Sequence, residues 1–489
     1  MIGQLQLANA LLPLMYACWA YAQVVEIENA DELGGVPERR ILRGHVRLRQ
    51  DTLTLLCQEA VLTSDGSFTA SGGVQTIFGL SGQITAATLR YDPSVRRLTY
   101  EGDVLANFPP SQLRAPLLHY DRNTETAWYE KGGILRDTTG EIHSWNGSYD
   151  TRTDIATFSG QVHVFRGTTQ AHADTLIYDT RRYYATFPVP VVIRDAQRKD
   201  TLTAEFMEWN RLTGEVFLKK RATYRDTSYI LSASEVYFAS EQDSAIGFCD
   251  VRFRDRRGQT FAWADTAIWK NESIHLHTNA SILYISAKSE TTFVQGEHLW
   301  TQGDSLYATG KAELISHLLR ARSDTLWYDT LNHILRMHGH AWLTDSIIQL
   351  YADKVFLRLS GRKADSARVA GNAQFLSVAD TFLGFFHQIV SDSAYAKWDT
   401  SGLLREISFI GKVQVVYYQS ENTQWRGAHY ARANKLYIQL DSLQKPAYVR
   451  LEEKPNGMVF PMKEVLSAPL WIKGVFWLPP DRQPKSPFR

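Results

Sequence analysis

Apolar and polar positions alternate with a period of two along most of the chain. In the stretch GQVHVF from Gly160, Val162 and Val164 fall on one face, and His163 and Phe165 on the other. In Leu176-Ile177-Tyr178-Asp179, Leu176 and Tyr178 again share a face. Runs of this kind, rich in Val, Ile, Tyr, Phe and Trp and broken by Asp-Thr, Asn-Gly, Asp-Arg and Gly, predict strands with one buried side. No window sustains a helical period. The segment 173–195 shows the pattern in miniature. Leu176–Tyr178 is followed by a polar patch with Arg181 and Arg182, then by Val189-Pro190-Val191-Val192-Ile193, which reads as a hairpin or a sheet corner.

The alternation is itself periodic. LRYD, LHYD, GSYD and LIYD place Tyr91, Tyr120, Tyr149 and Tyr178 at a constant spacing of 29 residues. The aromatic series continues through Trp209, Tyr237, Trp269, Trp300, Tyr328, Phe356, Trp398 and Tyr437, with longer steps before the last two. A second landmark, Gly-x-Val or a close variant, recurs in phase at Gly44, Gly102, Gly160, Gly310, Gly339, Gly371 and Gly411. A glycine inside a strand marks a bulge, or a bend where the strand crosses from one sheet to another. Asp-Thr or Asp-Ser precedes many anchors, as at Asp174-Thr175, Asp265-Thr266, Asp304-Ser305 and Asp324-Thr325. These pairs are read as turn formers that bond their own backbone; the glycine-rich spacing of a calcium-binding solenoid is missing.

A unit of about 29 residues holds two to three strands and cannot bury its apolar face alone, so neighbouring units must stack. The expectation is an all-β, elongated structure of about 11–12 hairpin repeats over residues 23–443, on the order of 100 Å long at about 4.8 Å per strand. Residues 444–489 form a separate tail that holds eight of the sixteen prolines. Proline at that density stops ladder growth, so the tail reads as a cap over an open sheet edge or as a partner-binding segment.

Residues 1–22 are nearly uncharged from Leu5 onward and end in Ala20-Tyr21-Ala22 before Gln23. This fits the apolar region and cleavage site of a signal peptide, although the start lacks Lys and Arg. A buried N-terminal element is the alternative. Cys18 sits in a poor lipidation context. Export leaves Cys57 and Cys249, which read as two separate buried thiols rather than a disulfide framework. Later in the chain no uninterrupted apolar run is long enough for a membrane helix.

Charge changes the picture only by exclusion. The 53 Lys and Arg nearly cancel the 52 Asp and Glu of the 489 residues, so no basic field points to nucleic acid. The motifs GxSxG, GxGxxG, a Walker loop, HExxH and CxxC are all missing, and no enzyme activity or cofactor is expected. Two His-x-His pairs, His275/His277 and His338/His340, would each share a strand face and could serve a metal, but no third ligand is evident.

The anchors of form A-D-x-L-x-Y-D, followed about eleven residues later by G-x-V, resemble the OstA-like family of lipopolysaccharide-transport proteins over roughly residues 30–440. That family includes the periplasmic bridge protein LptA, the ectodomain of LptC and the N-terminal domain of LptD. The repeated Asp-Thr looks most like the long Bacteroidota form. The resemblance implies a twisted β-jellyroll whose apolar interior holds acyl chains. It also implies a periplasmic bridge that carries lipopolysaccharide toward the outer membrane without covalent chemistry, and that stacks by edge strands on LptC-like and LptD-like components. This chain is much longer than the small bridge protein and has no room for a large C-terminal barrel.

Under that reading the groove lining is the period-two apolar set: Leu89, Tyr91, Val104, Leu118, Tyr120, Val162, Val164, Leu176, Tyr178, Val189, Val191, Leu326 and Tyr328. The plainer alternative is that these residues fill a closed core. An outer-membrane β-barrel and a polysaccharide-acting or adhesive β-solenoid are the competing functional readings.

Overall fold

β-Branched and aromatic residues at every second position do form strands. The structure, a computed structural model, describes residues 25–479 except 51–52, 80–81, 139, 211, 240–243, 271–272, 287–288, 317–318, 330, 346–347, 361–362 and 422–423. The expected signal peptide, Cys18 and the last ten residues of the tail therefore lie outside the described residues. Among the described residues, all regular structure is β except one helix, Met462–Ser467. The pairing is antiparallel and follows chain order. Arg97–Phe108, for example, pairs with Gly82–Asp92 on one side and Ser111–Asp121 on the other.

The chain divides into two units between Phe248 and Cys249. The expected single run of repeats over 23–443 is thus split, and the division falls inside the strand Ser244–Asp255. Among the described residues, no pairing closes either unit on itself. In the first unit, Arg39–Gln50 carries two short edge strands, Glu26–Asn29 and Glu32–Val36, on its far side. In the second, Gln424–Leu440 carries Pro446–Glu452 and Asn456–Pro461.

Alternate long strands carry a bulge near their middle, and the Gly-x-Val landmark is that bend. In Arg97–Phe108 the register breaks between Glu101 and Val104, where Gly102 and Asp103 take φ of +84° and +46°. The same left-handed pair recurs at Gly160-Gln161 and Gly339-His340, and without glycine at Lys220-Arg221 and Thr278-Asn279. Glycine is favoured there for a second reason. A β-carbon at Gly102 would stand 2.7 Å from Cβ of Ala87.

The bend puts the two halves of a strand in different walls that face each other within each unit. Tyr100, before the bend, donates to Thr76 Oγ1 after it at 3.3 Å. Phe375, after a bend, meets Phe409, before one, edge to face at 5.1 Å. The apolar faces look inward between the walls, while ion pairs such as Arg47–Glu28 at 2.6 Å and Lys219–Glu208 at 3.8 Å lie outside. Exposed pairs of this kind stabilise little; burial of the inner face holds the walls together.

Where an anchor ends in aspartate, that residue makes the turn. Asp179 Oδ1 accepts from the amides of Arg181 and Arg182 at 3.1 and 2.8 Å, and Asp329 Oδ1 from Leu331 and Asn332 at 3.0 and 2.9 Å. The Asp-Thr pairs behave differently from the expectation. Asp304 does lie in a turn, but Asp174, Asp265 and Asp324 are mid-strand, at the bends. Asp265 Oδ2 accepts from Asn279 Nδ2 at 2.8 Å, and Asp324 Oδ2 lies 2.9 Å from His340 Nδ1. The left-handed residues of one strand bring the next side chain over its neighbour's acid, so these carboxylates bond across the sheet rather than to their own backbone.

The tail also departs from expectation. The ladder continues past residue 443, because Pro446 and Pro461 occupy the first and last positions of their strands, where a missing donor is tolerated. Residues 468–479 then run outside any strand. Cys57 is buried, as read, with its thiol pushed up to about 11 by burial; Cys249 is exposed instead, and both are free. Among the described residues, no helix is long and apolar enough to cross a membrane.

Candidate functional site

The space between the walls recurs with the repeat. Gly-x-Val places Val104, Ala106 and Phe108 inward after a bend, and Leu118, Tyr120, Ala127 and Tyr129 face them from before neighbouring bends. Of the expected lining, Leu89, Val104, Leu118, Tyr120, Val162, Val164, Leu176, Tyr178, Val191 and Leu326 are buried. Tyr91 and Tyr328 are half-buried near the turns. Val189 is also half-buried but belongs to no strand. It sits between Pro188 and Pro190 in the link from Tyr184–Phe187 to Val191–Asp195, where the two prolines interrupt the ladder that the alternation suggested.

Small voids mark where the facing walls do not interdigitate fully. In the first unit a void of about 30 Å³ lies among Phe108, Leu113, Leu118, Tyr129, Tyr149 and Phe158. In the second, a void of about 110 Å³ is lined by Val251, Phe253, Ala262, Leu276, Ile282 and Leu299. One liquid water occupies about 30 Å³, but these linings offer a water few hydrogen-bond partners. They suit hydrocarbon.

Polar atoms on the inward tyrosines are tied up by the protein. Tyr149 donates to Asp154 Oδ1 at 3.1 Å, and burial pushes its phenol up to about 12. Tyr129 bonds Ser144 and is likewise pushed up to about 12 by burial. Both stay neutral, presenting ring faces to the interior and hydroxyls to neighbouring polar groups. Among the described residues, the chemistry available between the walls is apolar contact.

The aromatic anchor series is inward only in part. Tyr120, Tyr149, Tyr178 and Trp209 are buried. Tyr237, Trp300, Phe356 and Tyr437 occupy the outer face, and Val236, Leu299, Val355 and Leu436 take the inward position. Tyr237 bonds the Glu215 carboxylate, Trp300 stacks on Tyr307 at 4.9 Å, and the guanidinium of Arg336 lies 5.6 Å from the Phe356 ring. Phe108, Phe158 and Tyr129 were missed as lining. Phe108 could have been found from its place two positions beyond Ala106 on the inward face.

The histidine pairs divide. His275 and His277 share one strand with ring centroids 6.4 Å apart, and His277 Nδ1 lies 2.9 Å from His298 Nδ1. His338 and His340 do not form the expected strand pair, since the bend at Gly339 and His340 falls between them. Among the described residues, no group of three or more His, Cys, Asp or Glu is arranged to hold a metal ion.

Residues 22–168 match the family described as OstA-like protein. The OstA-like stretch takes in the edge strands, the bends at Gly44, Gly102 and Gly160, and the smaller void. Among solved structures the chain is similar to the crystal structure of LptH from Pseudomonas aeruginosa, the LptA-homologous periplasmic component of the conserved lipopolysaccharide transport device. The two share 16% identity over 21% of this chain and 78% of that one, with a TM-score of 0.19. No curated protein sequence matches the chain.

Proposed function

We propose that the protein is an exported, periplasmic lipid-binding bridge that carries lipopolysaccharide toward the outer membrane between its facing walls, without covalent chemistry. The observation that carries this reading is the repeated inward apolar face with charge kept outside. A membrane-spanning β-barrel would need the reverse, with apolar side chains facing lipid and a polar lumen. The OstA-like match over residues 22–168 supports transport over the adhesive or glycan-acting alternative. Each methylene moved from water to the interior gains about 0.8 kcal/mol, so an acyl chain would be held firmly. Near-identical rungs make a step from one to the next almost neutral in free energy. LptC-like and LptD-like components would dock by edge strands, and exposed Ile27, Leu33 and Val36 on the short strands beside Arg39–Gln50 offer such an edge.

Site-specific photo-crosslinking in living cells tests the reading. Probes at Tyr120, Tyr178 and Tyr328 are expected to yield lipopolysaccharide adducts, and probes at His119 and Ile177 none. Equal labelling of both faces would sink it.

A further inference from the structure

On the second unit, the face turned away from the interior is not uniformly polar. Phe375 looks inward, so its neighbour Leu376 and the paired Gln388 and Val416 look outward. All three are nonetheless buried. The cover is the segment 468–479, which crosses these strands along the stacking direction. Leu470 lies against Tyr418, Ile472 against Gln388, and Leu478 against Gln349.

Two glutamines read the main chain of this strap. Gln388 Nε2 donates to Leu470 O at 2.9 Å, and its Oε1 accepts from Ile472 N at 2.9 Å. Gln349 repeats the device on a single residue, donating to Leu478 O at 2.6 Å and accepting from Leu478 N at 2.9 Å. Both glutamines are 0% exposed. Buried amides are kept only where they are hydrogen-bonded, so Gln349 and Gln388 are suited to this face only when an extended chain lies on it. Rings complete the seat: Phe386 meets Trp477 at 5.0 Å and Tyr351 meets Phe476 at 4.4 Å. Main-chain recognition plus apolar side-chain pockets is the chemistry by which sheets bind extended peptides.

We propose that this outer face is a binding groove for an extended aliphatic–aromatic segment, occupied here in cis by the strap, and that its occupant in trans is the strap of a second copy. The strap contributes to no strand, so nothing in the ladder is broken when it lifts. Pro461 and Pro469 bracket the short helix that joins it to the sheet, and exchange of an identical element is a low-cost route to dimers. Trp471 and Phe476, though each touches a groove ring, stay 44% and 53% exposed, apolar surface that a second copy would cover. Tethering favours the cis form at low protein concentration.

Complementation tests this with full-length chains. The strap variant Leu470→Asp/Ile472→Asp keeps an intact groove, and the groove variant Gln349→Leu/Gln388→Leu keeps an intact strap. Each alone is expected to sediment as a monomer, and an equimolar mixture as a 1:1 heterodimer. Monomers in the mixture, with both variants retaining wild-type circular dichroism, would overturn the proposal. Should a variant lose its fold, a labelled peptide of residues 466–479 added to the wild-type chain gives a second reading by hydrogen exchange. Binding with faster exchange of the resident strap supports exchange; no binding at millimolar peptide overturns it. Gln388→Leu alone is expected to weaken the peptide about tenfold, as loss of a bidentate hydrogen-bonding partner does.

Discussion

At Gly339 the backbone sits at φ +74°, and a β-carbon there would lie 2.2 Å from Asp324 Oδ2. Gly339→Ala is therefore expected to lower the stability of the second unit by about 1–2 kcal/mol from left-handed strain alone, read as a shift of the denaturation midpoint. Removing the acid as well, in Gly339→Ala/Asp324→Ala, should recover only the steric part. Two histidines respond to pH in opposite senses. Asp324, by its hydrogen bond and then its charge, raises His340 above its ordinary 6.5, so that contribution is complete below about 6.5 and fades as pH rises through the folded value. Burial lowers His387 to about 4. Its contribution is complete above 6.5 and is lost as pH falls from 6.5 toward about 4, because the unfolded chain then binds the proton that the folded chain refuses. His387→Phe should flatten the stability profile in that window; an unchanged slope between pH 6.5 and 4 would refute the assignment.

Single elements show what the residue order could and could not reveal. The phase of Tyr120, Tyr149 and Tyr178 was legible because a constant spacing keeps each on the same wall. Tyr237 and Trp300 broke the rule because the outer face also holds aromatic rings, Tyr237 bonded to Glu215 and Trp300 stacked on Tyr307, and residue type alone does not distinguish a wet ring from a dry one. The bend was legible from its glycine, yet the acid beside it was misread. Asp324 bonds a residue on the next strand, and that pairing is set by the sheet rather than by local spacing. A consequence can be checked with the same cross-linking chemistry: probes at Val236 and Leu299 are expected to capture lipid, and probes at Tyr237 and Trp300 are not. The reverse pattern would mean that the alternation on those strands had been assigned to the wrong face.

At the scale of the molecule, repetition was the most legible property, because two landmarks in phase admit few folds other than stacked hairpins. The division between Phe248 and Cys249 left no mark, since Cys249 and Asp250 are simply one more bend with φ of +57° each. The tail was misjudged because proline count was weighed over proline position. The bends have one effect on any charged cargo. In the second unit Glu297, Asp324, Asp353 and Asp392 crowd the bend glycines, one carboxylate every second strand, or about 10 Å apart at the usual strand separation. That is close to one Debye length in about 0.1 M salt, so their fields overlap into an anionic rail, offset in places by groups such as Lys412, 3.7 Å from Asp392. A phosphorylated headgroup whose tails lie between the walls would be repelled from that margin.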